Sequence, residues 1–203
     1  MAPIHDAVRG RDIEAVRREL AAGVSPDLEE ISNYNYTPLM VAASNDQLEI
    51  TLILIEAGAD VDQAASIFTP LIIACHRGNE AIIAALLAAG ASVSRRVSLH
   101  HGGQSSLPVE RVLNNHKRVV SMLLRAGSPL PHHDDTIFMN DRSYGFNAAA
   151  TNYVNAVAAA GGYVPYERAH RKRLVAIFVP KFTWLPAEVV PTIVEFWAHV
   201  GHY

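Results

Sequence analysis

The stretch Thr37-Pro-Leu-Met-Val-Ala-Ala43, continued by Leu48-Glu-Ile50 and by Glu56-Ala-Gly-Ala-Asp-Val-Asp62, decides the fold. The Thr37 hydroxyl can accept from a first-turn N–H and so cap a helix, and Pro38 at the first helical position loses no needed hydrogen bond. Ala42 and Ala43 are small enough for a neighbouring helix to approach closely. Leu48, Leu52 and Ile55 predict one apolar side of a second helix, with Ile50 and Leu54 beside them. Gly58 then predicts the helix end, where a left-handed conformation suits glycine.

The pattern recurs along the chain. Glu56-Ala-Gly-Ala-Asp60 has a near copy in Ala88-Ala-Gly-Ala-Ser92, extended by Leu20-Ala-Ala-Gly-Val24 and Leu124-Arg-Ala-Gly-Ser128 and more weakly by Ala158-Ala-Ala-Gly-Gly162. The glycines at 23, 58, 90, 127 and 161 are spaced by 35, 32, 37 and 34 residues. Thr37-Pro-Leu and Thr69-Pro-Leu each precede their glycine by 21 positions, as do Ala2-Pro-Ile and, with its proline displaced by one, Ser106-Leu-Pro108. Two helices of fixed length joined by a tight turn would hold that offset constant and leave the length variation to the loops between repeats. Ala74 and Cys75 match Ala42 and Ala43, and Ile82, Ile83, Leu86 and Leu87 form the corresponding second helix.

The frame Thr-Pro-Leu-x-x-Ala-Ala, Leu-Glu-Ile, Glu-Ala-Gly-Ala-Asp-Val-Asp resembles the ankyrin repeat. The likeness runs almost throughout Thr37 to Asp62 and through Thr69 to Val93. Ile4 to Asp27 resembles an N-terminal repeat, the fourth repeat is degenerate and the fifth barely legible. The resemblance implies an all-α solenoid of antiparallel helix pairs over residues 1–162, followed by a helical cap or docking tail over 163–203. The family's usual His after Thr-Pro-Leu survives only as His5, with Met40 and Ile72 in the central repeats. The glycine usual two positions before Thr is Asn35 in one repeat, which tolerates a left-handed backbone, and Ile67 in the next, which tolerates it poorly.

An ankyrin stack works through a surface, presenting a concave face of first helices and inter-repeat turns. By frame, that face offers Tyr34, Tyr36 and Phe68 from the turns and Ser44, Asn45, His76 and Arg77 from the first helices. The long fourth loop adds Arg95, Arg96, His100 and His101. Aromatics and arginines of this kind are the usual anchors of an interface. Non-catalytic binding of a protein partner is therefore the expected function.

The tail departs from the repeat. Pro165 to Phe178 predicts a helix with a basic face of Arg168, Arg171, Lys172 and Arg173, in which Glu167 can pair with Arg171; Pro180 ends it. Val189, Ile193, Phe196 and Trp197 predict an amphipathic helix that Pro191 must kink or start anew. A solenoid end requires such a cap. Leu185-Pro-x-Glu-x-x-x-x-Ile193 also resembles the opening of an F-box, which implies an alternative role as substrate-recruiting adaptor of a ubiquitin ligase. Pro191 departs from that pattern.

Composition agrees. Of 203 residues 50% are hydrophobic and 18% charged, the balance of a chain with a packed core. Thirty alanines and few aromatics favour close-packed helices. The net charge of −3 does not suggest a nucleic-acid binder. Residues 1–100 carry 13 acids and 7 bases, and residues 31–93 six acids against Arg77 alone, which mildly favours a basic partner surface. The longest apolar run, Ala81 to Ala89, is too short to span a bilayer. The single Cys75 leaves no disulfide framework and no multi-cysteine zinc site. A reduced, cytoplasmic or nuclear setting follows as the expectation, or an organelle if a presequence was removed, with oligomeric state open.

Catalytic chemistry finds little support. His132-His-Asp-Asp135 and His100-His101 are the densest ligand clusters, but adjacent residues rarely point at one ion, and zinc needs three or four ligands. A metal-dependent enzyme on these loops is the third reading. Cys75 and His76 project about 100° apart on a helix, against a nucleophile–base pair. No phosphate-binding glycine loop or nucleophile elbow is present. No cofactor and no metal are expected.

Overall fold

The computed structural model describes residues 3–31, 35–65, 68–98, 105–111, 117–130, 148–181, 186 and 188–200. They form two compact units, residues 1–129 and 130–203.

The first unit is a series of helix pairs: α1 (Pro3–Arg9) with α2 (Ile13–Ala21), α3 (Pro38–Ser44) with α4 (Leu48–Glu56), and α5 (Pro70–Arg77) with α6 (Glu80–Ala88). A two-stranded ladder follows, β1 (Val97–Ser98) antiparallel to β2 (Ser105–Ser106), then a 3-10 turn (Pro108–Arg111) and α7 (Lys117–Arg125). The first helices pack in a row, α1 on α3, α3 on α5 and α5 on the 3-10 turn; the second helices form a parallel row, α2, α4, α6 and α7. The fourth repeat thus has a 3-10 turn where the others have a first helix, the structural form of its degenerate sequence. Among the described residues no helix is long and apolar enough to cross a membrane.

The starts and ends of the helices follow from the residues that mark the repeat. Thr37 Oγ1 accepts from Met40 N at 3.3 Å and Thr69 Oγ1 from Ile72 N at 3.2 Å, with Pro38 and Pro70 in the first turn. Gly58 and Gly90 have φ of 86° and 89°, in the left-handed region. Each helix end is closed by the bond that spans six residues, Ala59 N to Leu54 O at 3.0 Å and Ala91 N to Leu86 O at 3.0 Å, which satisfies a carbonyl the helix leaves unpaired. The same closure ends the helices before Gly23 and Gly127, and recurs in the second unit as Gly162 N to Val157 O at 3.0 Å. The faintest of the five glycine motifs in sequence therefore ends its helix as the strongest do.

The core lies between the rows. Leu39, Met40, Ala42, Ala43, Leu71, Ile72, Ala74 and Cys75 have no exposed surface. Burial of each large side chain among them contributes about 1.5–3 kcal/mol. Met40 and Ile72 thus fill with hydrocarbon the slot that His5 fills in the first repeat, where His5 is equally buried. On α4 the expected apolar side is displaced. Ile50, Thr51, Ile53 and Leu54 are buried, whereas Leu48 is 38% and Leu52 43% exposed. Leu52 lies between Glu49 and Glu56, seven residues apart on one face of the helix, and is exposed with them, while the opposite side packs against α3 and α6.

Successive repeats are also stitched by polar bonds. Asp27 Oδ1 accepts from Asp60 N at 2.8 Å and Asp62 Oδ1 from Ser92 N at 2.9 Å, so the Asp of one loop holds the main chain of the next. His5 Nε2 reaches Tyr36 O at 2.9 Å. Buried Glu30 bonds Arg9, and its N–H donates to Tyr36 O at 3.0 Å.

The second unit contains α8 (Ala148–Ala159), α9 (Tyr163–Phe178), a 3-10 turn (Val179–Lys181) and α10 (Val189–Val200). Tyr153 and Tyr166 meet edge to face at 5.6 Å, joining α8 to α9, and Glu167 pairs with Arg171 at 3.0 Å as the four-residue spacing predicts. Pro191 sits in the first turn of α10, where it starts a helix without breaking one. On α10, Val190 and Val194 are buried, while Val189 and Ile193 are 38% and 37% exposed. The apolar face is therefore rotated by one residue from the expected Val189 and Ile193. The side chains of Phe196 and Trp197 lie outside the described residues.

Candidate partner-binding surface

Two turns position the aromatic residues. Glu30 bridges Tyr36 and Ala65 bridges Phe68, each pair antiparallel, so the chain doubles back just before a capping threonine. Asn35, at φ 58°, supplies the left-handed residue of the first turn. Tyr36 and Phe68 thus occupy equivalent places in consecutive repeats. Their rings meet edge to face, centroids 6.1 Å apart at 84°, an arrangement favoured by ring electrostatics. Each is half-buried, so each serves packing with one edge and a surface with the other.

Beyond them, at the C-terminal ends of the first helices, lie two hollows that share Ser44 and Asn45. The first, of about 470 Å³, is lined by Arg9, Arg11, Tyr36, Val41 and Gln47 as well; the second, of about 620 Å³, adds Asp46, Arg77, Gly78, Asn79, Glu80 and Arg118. Arg11 Nη2 donates to Asn45 O at 3.0 Å, and Arg77 Nη2 donates to Ser44 Oγ at 3.2 Å. Arginines from the repeats on either side therefore converge on the end of α3, where the helix presents unpaired carbonyls and the negative end of its dipole. The carboxylates nearby are engaged: Asp46 with Asn79, Glu80 with Arg118 at 3.5 Å, Asp12 as the cap of α2, and both Asp6 and Glu30 with Arg9. The Glu30 hydrogen bond, with the charges of Glu30 and Asp6, outweighs desolvation and raises the Arg9 pKa.

Of the residues expected to bind a partner, Tyr36, Ser44, Asn45 and Arg77 are brought together around these hollows, with Phe68 against Tyr36. His76 is exposed beside Arg77. Arg95 and Arg96 are exposed in the loop that enters β1. Tyr34, His100 and His101 lie outside the described residues, as do Ile67 and the His132 to Asp135 cluster. Arg9, Arg11 and Gln47 were not anticipated. Arg11 is the residue that follows Gly10 in the turn between α1 and α2, and its frame position matches Asp46, next to the expected Asn45, with the same left-handed backbone (φ 55° and 58°). Of the six acids in residues 31–93, Asp46 and Glu80 line the second hollow, and Glu49, Glu56, Asp60 and Asp62 line neither.

Chemistry beyond binding is sparse. Cys75 has no exposed surface, and burial pushes its thiol pKa up, which suppresses the thiolate that nucleophiles and metal ligands require. Among the described residues no group of three His, Cys, Asp or Glu side chains is placed to hold a metal.

The comparisons with known proteins agree with the geometry of the helix pairs. The family model described as Ankyrin repeats (3 copies) matches residues 1–65, and the one described as Ankyrin repeat matches residues 68–97. No curated protein matches the chain.

Proposed function

The chain is an ankyrin-repeat protein, whose repeats make it a protein–protein interaction module, and we propose that it binds its partner without catalysis through the face formed by the first helices and the turns before them. The observation that supports this reading is the convergence of Tyr36, Ser44, Asn45 and Arg77 on adjoining hollows. These residues come from two consecutive repeats, Tyr36 from the turn before α3 and the others from the ends of α3 and α5. Aromatic and arginine side chains around a recess are the composition of binding hot spots. A photo-cross-linking residue placed at Asn45, and in a second variant at Glu56 on the opposite row, tests it in cell extract. Partner adducts from position 45 and not from 56 are expected. Adducts from 56 alone would overturn the assignment of the face.

A second reading, docking of the tail on a scaffold protein in the manner of a ligase adaptor, is favoured by one observation. Val189 and Ile193 stand on the exposed side of α10 while Val190 and Val194 hold it in place. Scaffold subunits captured by the full chain and lost with Ile193→Glu would support it; their absence from the capture would remove it.

A further inference from the structure

We propose that the groove between α9 and α10 is a second docking site, whose occupant is an amphipathic helix of a partner protein with acidic residues along one flank. The site is independent of the face on the repeats, since it lies beyond the residues 1–97 that the family models match, and it uses neither Val189 nor Ile193. The two helices pack on each other and leave between them a groove of about 520 Å³. Val164 and Val175 of α9 and Pro191 and Val194 of α10 give it apolar walls. Val164 is 57% exposed and Val194 only 3%, so the groove runs from the surface down between the helices. Along α9 the two valines are separated by about 16 Å, three turns, which is the length of a short docked helix. Such a helix presents its apolar side chains at positions i, i+3 or i+4, and i+7. An extended strand would find no unpaired main chain on helical walls, and the broad surface of a bilayer cannot follow a recess.

Charge decides the flank. Arg168 and Lys172 stand between the two valines on α9, one turn apart, both exposed and both lining this one groove. Neither has a hydrogen bond or an ion pair among the described residues. Glu167 and Arg171 line the groove as well, and they pair with each other at 3.0 Å, so the carboxylate on the lining is already matched. Arg168 and Lys172 are left as the excess. The wider balance has the same sign, with Arg168, Arg171, Lys172, Arg173 and Lys181 against Glu167, Glu188 and Glu195 over residues 163–200. A partner helix with carboxylates four residues apart repeats the rise of about 6 Å between Arg168 and Lys172 and can meet both from one flank. Burial of the apolar face supplies most of the affinity, and the charged flank selects the partner and its orientation.

The test is a displayed library of helical peptides, apolar on one face and randomised on both flanks. It is selected on the full-length wild-type chain, on Arg168→Glu/Lys172→Glu, and on Arg173→Glu, which reverses a charge on α9 outside the groove. Aspartate and glutamate should be enriched on the wild type and on Arg173→Glu, and lysine and arginine on the double variant. That inversion is a gain of binding, which a misfolded variant would not give. The best acidic peptide should bind at least about tenfold more weakly to the double variant and should weaken in 1 M salt, where charges are screened beyond about 3 Å. Val164→Glu, at an exposed apolar wall, should weaken it as well. Basic or neutral selection on the wild type, acidic selection undiminished on the double variant, or no selected peptide at all would each overturn the proposal. So would phosphatidylserine vesicles that capture the wild type and not the double variant while no peptide does. A dimer of the free chain that Val164→Glu dissociates would assign the groove to a second copy and overturn it too.

Discussion

His5 Nε2 lies 2.9 Å from the main-chain carbonyl of Tyr36, so a side chain buried in the first repeat holds the turn that opens the second. A carbonyl accepts, so the imidazole is the donor. Met40 and Ile72, in the equivalent places of the next two repeats, have no hydrogen-bond donor to offer a carbonyl and contribute packing. The first interface between repeats therefore depends on a hydrogen bond that the later ones lack.

His5→Ala should cost about 2 kcal/mol or more, since it both empties a buried site and removes one of the two hydrogen bonds on the Tyr36 carbonyl, which keeps only that from Glu30 N–H. Met40→Leu, which keeps the volume, should cost less than about 1.5 kcal/mol. Denaturant unfolding of both variants checks this. An His5→Ala loss no greater than that of Met40→Leu would show that the bond contributes nothing.

Gly58→Ala and Gly90→Ala should each cost about 1 kcal/mol, and for a conformational reason alone. An added Cβ would meet nothing within 4 Å at either site, so no clash contributes, and the penalty is that of holding alanine at φ near 86° to 89°. Gly58→Asn, tolerant of that region, should recover part of the loss. Equal melts for the Ala and Asn variants would contradict this account.

Ile193→Glu should change the stability of the protein by less than about 0.5 kcal/mol, because the side chain is more than a third exposed. Val194→Glu, one residue on, should cost about 3 kcal/mol or more, as it places a carboxylate where 3% of the residue is accessible. Thermal melts of the pair test the rotation of α10; the reverse order would place Ile193 in the apolar contact.

Cys75 should resist thiol reagents in the native state and react at the rate of unfolding, since it is fully buried and its pKa is raised by burial. The linkage has a definite sign. Below the pKa of an unfolded cysteine, about 8.5, the thiol is neutral in both states and costs nothing. Above it the unfolded chain ionises while the folded one does not, so stability falls as pH rises. Cys75→Ala should flatten that alkaline slope. A native thiol that reacts as fast as free cysteine would refute the burial.

Punctuation was legible in the chain because it is local. Thr37 and Thr69 cap helices, Asn35 takes a left-handed conformation and each marker glycine ends a helix, since the residue's own hydroxyl or missing Cβ settles the matter within four or five positions. Two consequences needed the fold. The side of α4 that is buried could not be read from Leu48, Leu52 and Ile55, because apolar residues surround most of that helix and only Glu49 and Glu56, which flank Leu52 on one face, mark the side turned outward. Likewise α10 buries Val190 and Val194 in place of Val189 and Ile193. The candidate site divides in the same way. Tyr36, Ser44, Asn45 and Arg77 follow from their places in the repeat frame. That Arg11 bonds Asn45 and Arg77 bonds Ser44 was decided by the stacking of three repeats, which brings residues of the repeats on either side to the end of α3, a proximity that no local pattern encodes.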